Sequence, residues 1–526
     1  MQSIAVPGRF AGEGNSTAAG VAEFSGIGKS GAGKVESSSS RKLNWSPAHR
    51  PLGPWGSAGA ALLLAAVAGC GNQYRPVINP VRPTGPSPAP TAYAVAITQP
   101  AGTAAGIATV LDFSGDTVLA QATIGNLPLD FTLDLPGATA YTIDRDGSLS
   151  DIPISTSLQT KNVSTSTLTA AAVPINTITG SGVLYVVDQA SNQLDVLSGT
   201  PPGLKQAIQF PLGLINLVGR STGARFYGIS QNVGPGACAD PGAVATLGVA
   251  SALEAATNSI SASIPVGVCP VYGLGSADGL RAFILNRGSG TVSVIDAQKN
   301  KLDIYTDPTT GKTVDHSTLT LPGGPVYGEM YDTASELVTA NYDSDTISVI
   351  DVTTDVFDND APTFGTIHNV TVGSGPSSVT VLQDGSRAYV ANSNDGTISV
   401  VNLSSYTVQK TITLPLNADG TTPHPRMVVS TFNYPTGKIY VTSPDSDNLV
   451  ILRTDTDTVD ATLQLQGNLI DTRVTRQNAN TSSQINTMSY SPGNGVPCTP
   501  GTVPTQVGTN PTACQLEANP DLRKKK

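Results

Sequence analysis

The chain has 526 residues and a formal net charge of −10, with 13% charged and 39% apolar residues, 54 Gly and 38 Pro. Average soluble proteins carry about 25% charged residues, and a chain this rich in Gly, Pro, Thr, Ser and Asn uses the vocabulary of strands and turns, which excludes a coiled coil or helical bundle. Its acidity disfavours phosphate backbones, so nucleic acid is excluded as a partner, and a single long apolar run excludes a polytopic membrane protein.

Residues 1–55 read as a disordered leader, Gly/Ser-rich at first and ending in a positive segment with Arg41, Lys42 and Arg50. Gly28–Lys34 copies most of a phosphate-binding loop, but Val35 stands where a Mg²⁺-binding Ser or Thr belongs, and no strand or helix pattern flanks it. Residues 56–69 are apolar and too short for a transmembrane helix, which needs about 20 residues; they suit the core of a secretory signal. The run closes on Val67-Ala68-Gly69-Cys70. This resembles the lipobox of bacterial lipoproteins. The resemblance implies lipidation of Cys70 on sulfur, the membrane as a partner through that lipid, and a place in the cell envelope, facing the periplasm or the cell surface. Residues 70–92, rich in Pro, read as a semi-extended tether.

From residue 93 the chain repeats. The clearest module is Gly385–Asn402, where Tyr389-Val390-Ala391-Asn392 reads as one short strand, Asn394-Asp395-Gly396 as a turn, and Thr397–Val401 as the next strand. Related pairs recur around positions 93, 141, 185, 227, 283, 338 and 440. A further strand is expected before each pair, as at Ser378–Leu382, and another after it, as at Val408–Leu414. A period of roughly 40–50 residues holding four strands predicts an all-β fold, a β-propeller of four-stranded blades. The modules count to eight blades, with seven as the alternative because the early repeats are degenerate.

Tyr389-Val390-Ala391-Asn392 and the Thr-Ile-Ser-Val strands resemble the YVTN family of bacterial propeller repeats. The resemblance spans about Tyr93 to Tyr490. It implies a propeller and no particular function. The first module has no opening strand of its own, and Ile485–Gly493 resembles the missing piece. The propeller is therefore expected over 93–491, its ring closed by this C-terminal strand in the N-terminal blade, with 492–526 as an irregular tail.

Four Cys remain after Cys70. An exported protein permits disulfides; three connectivities are open, and locality favours Cys238–Cys269 and Cys498–Cys514. The histidines His49, His316, His368 and His424 share no ligand spacing and read as isolated, solvated side chains. The acidic turns Asp343-Ser344-Asp345 and Asp355–Asp360 invite a Ca²⁺ test but lack the calcium-loop pattern, so no cofactor is assigned. Arg220, Arg225, Arg281, Arg387 and Arg426 read as partners of nearby acids, with an anionic ligand on one ring face as the alternative. No catalytic residue is assigned. The expected role is a monomeric, lipid-anchored propeller presenting loops to a protein or glycan of the envelope. The alternative is a lactonase-like hydrolase using the central channel with a divalent metal, because propellers resembling this one include lactone-hydrolysing enzymes.

Overall fold

A computed structural model describes residues 93–475, apart from short stretches in several connections. The leader 1–55, the segment 56–69, Cys70, the tether 70–92, Ile485–Gly493, the tail 492–526, Cys498 and Cys514 lie outside the described residues.

Eight antiparallel sheets follow one another as blades of a propeller, seven of four strands and one, blade 5, of five, where Lys301–Leu302 and Thr318–Thr320 both pair with Thr291–Asp296. Six are built from consecutive strands. Blade 7 is typical, with Pro376–Val381, Arg387–Asn392, Thr397–Asn402 and Thr407–Thr413 in strand positions one to four. The position-one strands of successive blades neighbour each other all the way round, so they form the inner wall of the ring. Position four lies outermost, and its burial alternates or fades, as over Thr407–Thr413. The middle strands are buried on both faces, because each blade packs its sheet against the next.

The ring closes in blade 1, where Asn468–Val474 takes position one and pairs antiparallel with Tyr93–Gln99. Closure by a C-terminal strand agrees with the sequence reading, but the strand lies earlier than Ile485–Gly493. Its Leu469, Ile470 and Val474 are buried, and Thr475 Oγ1 accepts a hydrogen bond from Tyr93 N (2.8 Å). Asn468–Val474 was missed because Asp471 and Arg473 interrupt its apolar pattern. A second correction concerns register. Tyr93 pairs with Asp112 at the strand start, as Arg387 pairs with Asn402, so Val95 holds the place that Tyr389 holds in blade 7.

Two local devices repeat. Pro opens position one opposite the last residue of position two, in the pairs Pro128/Asp144, Pro174/Asp188, Pro270/Asn286, Pro325/Asn341 and Pro376/Asn392, and a bulge follows each. Pro lacks the N–H of a regular ladder and is tolerated at such a strand start. The residue opposite closes the next hairpin with its side chain. Asn392 Nδ2 donates to Thr397 Oγ1 (3.0 Å) and Ser399 Oγ (2.9 Å); Asn341 does the same to Thr346 (3.1 Å) and Ser348 (2.8 Å). This is what the Asn of the Tyr-Val-Ala-Asn strand does physically.

Neighbouring blades are also joined by a cation at the start of position two, which reaches the connection between positions three and four of the next blade. Arg387 binds Asp457 and the carbonyl of Thr454 (2.7 Å), and Lys438 binds Asp116 (2.7 Å) and the carbonyl of Phe113 (2.8 Å). Arg225 Nη1 donates to the Ala297 carbonyl, while Arg281 binds Asp303 (2.7 Å) and reaches Asp360 (3.1 Å).

Candidate functional site

Two departures from the repeat bear on a site: the inner wall, and the ring face formed by the hairpins between positions two and three.

On the inner wall, charged residues interrupt strands that are otherwise apolar. Asp130 of blade 2, Glu329 of blade 6 and Asp471 of blade 1 are each at most 1% exposed. Asp471 and Arg473 stand two residues apart on one strand and so share a face. Arg473 Nε donates to Asp471 Oδ2 (3.1 Å), and its Nη2 lies 3.7 Å from Asp130 Oδ1. The guanidinium sits over the Phe131 ring, 5.5 Å from its centroid. Glu329 Oε1 accepts from Val381 N (3.0 Å) and Thr380 Oγ1 (3.3 Å), and Thr380 continues to Ser430 Oγ (3.0 Å) in blade 8. Tyr272 and Tyr327, rings 4.8 Å apart, complete the cluster.

Burial lifts the Asp471 carboxyl to about 6, although Arg473 beside it pulls the other way. Burial also drives the Tyr272 phenol far above its ordinary value; Arg473 opposes this, while Glu329 and Asp130 add to it. Charges from blades 1, 2 and 6 therefore act on the blade 5 phenol from across the ring. They form a polar plug whose acids are held by arginine and by hydroxyl and amide donors.

The other region belongs to blade 4. In blades 5, 6 and 7 a tight turn joins positions two and three, as from Asn392 to Thr397. In blade 4 the connection runs from Ser230 to Leu247 and holds two short 3₁₀ turns, Ala237–Ala239 and Pro241–Ala243. Cys238 of this loop is bonded to Cys269, at the entry to blade 5 (S–S 2.03 Å). Both are buried, while Leu212 and Leu247 beside the loop are 47% and 52% exposed. Asn232 ties these two segments together, its N donating to Leu212 O (2.8 Å) and its Nδ2 to Leu247 O (3.4 Å).

The three histidines in the described region do not converge. His316 Nδ1 meets Asp360, His424 Nδ1 meets Asp445 (2.5 Å), and His368 stacks on Tyr406 (3.9 Å). They are thus partnered rather than isolated, although His368 is exposed as expected. Among the described residues no group of three His, Cys, Asp or Glu side chains has metal-binding geometry. Asp343 is taken by Arg287 (2.7 Å), Asp345 accepts from Gly375 N (2.8 Å), and Asp360 faces Arg281 and His316. Four of the five singled-out arginines lie in the described region. Arg225, Arg281 and Arg387 pair with acids, and Arg426 lies near enough to Asp471 to draw its carboxyl downward. Arg220 falls outside the described residues.

The sequence reading missed Asp130, Glu329, Asp471 and Arg473. The available signal was an ionisable residue inside an otherwise apolar opening strand.

No family model and no curated protein matches the chain. Solved structures share its fold at low identity. The dihydro-heme d1 dehydrogenase NirN in complex with DHE is 15% identical, with TM-score 0.52, covering 79% of this chain and 78% of that one. AztD of Citrobacter koseri is 16% identical, with TM-score 0.47, covering 73% of this chain and 97% of that one. The likeness to NirN is one of fold.

Proposed function

We propose that the protein is an exported, lipid-anchored propeller of the YVTN type that binds a protein or glycan of the envelope through the blade 4 loop face. The observation that carries this reading is the Cys238–Cys269 bond. It fixes the one long hairpin among blades 4 to 7 against its neighbour and holds apolar side chains in solvent beside it. Such a cross-link suits an oxidising compartment, and a pre-ordered loop loses little conformational entropy on binding. Exposed Leu residues over a rigid base are a reasonable contact surface. The polar plug supplies the stiffness of the ring, its charges being already matched within the protein.

The test uses two variants of the full chain in a bacterial host. Cys70→Ala is expected to move the protein from the membrane fraction to the soluble fraction. Replacing residues 231–246 with the short turn of blade 7 is expected to leave the melting temperature within a few degrees, yet abolish cross-linking to envelope material in living cells. Unchanged membrane retention by Cys70→Ala sinks the anchor, and undiminished cross-linking by the loop variant sinks the binding face.

A further inference from the structure

On the opposite face of the ring, blades 4 and 5 part to leave a pocket of about 240 Å³. Backbone and methyl groups form much of its wall, at Gly219, Ala224, Gly275 and Ala282, and Arg225 and Tyr227 also line it. A dry cavity of about 150 Å³ accepts benzene, so the space suits a ring-sized molecule.

Tyr227 sets the chemistry. Three other tyrosines at the same repeat position find acceptors in the next blade, at the residue just before its outermost strand. Tyr185 Oη donates to Asn258 Oδ1 (3.2 Å), Tyr440 to Asp116 Oδ1 (3.4 Å), and Tyr389 to Asp457. In blade 5 that residue is Asn300, whose Nδ2 donates to Ser261 Oγ (3.1 Å) and whose Oδ1 is buried without meeting the Tyr227 phenol in hydrogen-bonding geometry. Tyr227 is 3% exposed and its phenol oxygen has no partner of hydrogen-bonding geometry. The nearby Arg225 guanidinium has donors only and serves the oxygen's lone pairs at best. Glu254, a carboxylate lining the pocket, is taken by Arg225 Nε (2.6 Å) and Ser261 Oγ (2.6 Å). The phenol hydrogen thus lacks an acceptor at a site lining a cavity, a costly state for a buried hydroxyl.

Gly275 keeps the space open. A Cβ there meets nothing nearer than the Arg281 carbonyl at 3.9 Å, whereas one at Gly273 falls 2.9 Å from Val218 and one at Gly228 falls 2.1 Å from Phe210. Packing forbids a side chain at the latter two; at Gly275 the unfilled volume is the pocket itself. The ionic groups at the rim are matched, Arg225 by Glu254 and Arg281 by Asp303 and Asp360. We infer that this pocket binds a small, uncharged, ring-containing molecule whose carbonyl oxygen accepts the Tyr227 phenol hydrogen.

The test is saturation-transfer NMR on the full chain with cyclohexanone and benzamide, beside benzene, which lacks the acceptor, and benzoate, which is charged. Cyclohexanone and benzamide are expected to bind. Tyr227→Phe should weaken both about tenfold, the loss of one hydrogen bond, and leave benzene unchanged. Gly275→Leu should abolish binding at an unchanged melting temperature. If that variant melts early, Tyr227→Phe alone decides. No transfer from any probe means that water alone fills the pocket, and overturns the inference. So does preference for benzoate, or equal carbonyl binding by wild type and Tyr227→Phe.

Discussion

The side chain that ends the second strand of each blade decides how well the following hairpin is held. Asn286, Asn341 and Asn392 donate an amide to hydroxyls across the turn. Blade 2 has Asp144 in this place, accepting from Ser148 Oγ (3.1 Å) and Ser150 Oγ (3.3 Å). Burial raises its carboxyl to about 7. Between pH 4 and 7 the folded state therefore holds a proton that the unfolded chain has released, so stability falls as pH rises through that window. Asp144→Asn keeps a hydrogen-bonding group of the same shape and removes the charge. It is expected to stabilise the protein at pH 8, on the order of 1–3 kcal/mol, with little effect at pH 4. Urea melts at the two pH values check this; equal effects at both contradict it.

At the scale of elements, one strand determines whether the repeat is a ring. Asn468–Val474 supplies blade 1 with its inner strand and covers Val95 and Ile97 from the other end of the chain. An open propeller leaves an unpaired edge in blade 1 and loses the seal between blades 8 and 1. A mature chain ending at residue 477 is expected to melt as the full-length protein does. One ending at residue 466 is expected to lose cooperative unfolding in calorimetry. If the shorter chain melts normally, the closing strand lies elsewhere. The cations that start the second strands in blades 4, 5, 7 and 8 reinforce seams of the same kind, each reaching into the following blade.

For the molecule as a whole, the polar plug is the feature that depends on ring closure, because it joins side chains of blades 1, 2, 5, 6, 7 and 8. Asp130 and Asp471 both pair with the guanidinium of Arg473, from the closing strand. Arg473→Met leaves buried carboxylates without that cation, and removal of one partner from such a group costs about 3–5 kcal/mol. The loss should appear in denaturant melts at pH 7.5 and shrink below pH 5, because Asp471, lifted to about 6, is then protonated. A loss independent of pH would assign Arg473 a packing role only.

The repeat itself was legible in the amino-acid order. Tyr-Val-Ala-Asn, Asn-Asp-Gly and Thr-Ile-Ser-Val encode strand, turn and strand locally, and eight copies at regular spacing leave one way to bury both faces of every sheet. Local chemistry of this kind depends only on neighbours in the chain. The closing strand, the plug and the pocket could not be read that way. Asp471 and Arg473 make Asn468–Val474 look unlike a core strand until Asp130, some 340 residues earlier, is brought beside them. Tyr227 looks like Tyr389 and Tyr440 in sequence; only the structure shows that Asn300 of the next blade gives its amide N–H to Ser261 and that the Tyr227 hydroxyl, in a residue lining the pocket, has no partner of hydrogen-bonding geometry. Contacts between distant residues form only once the ring has closed, so tertiary structure alone decides them.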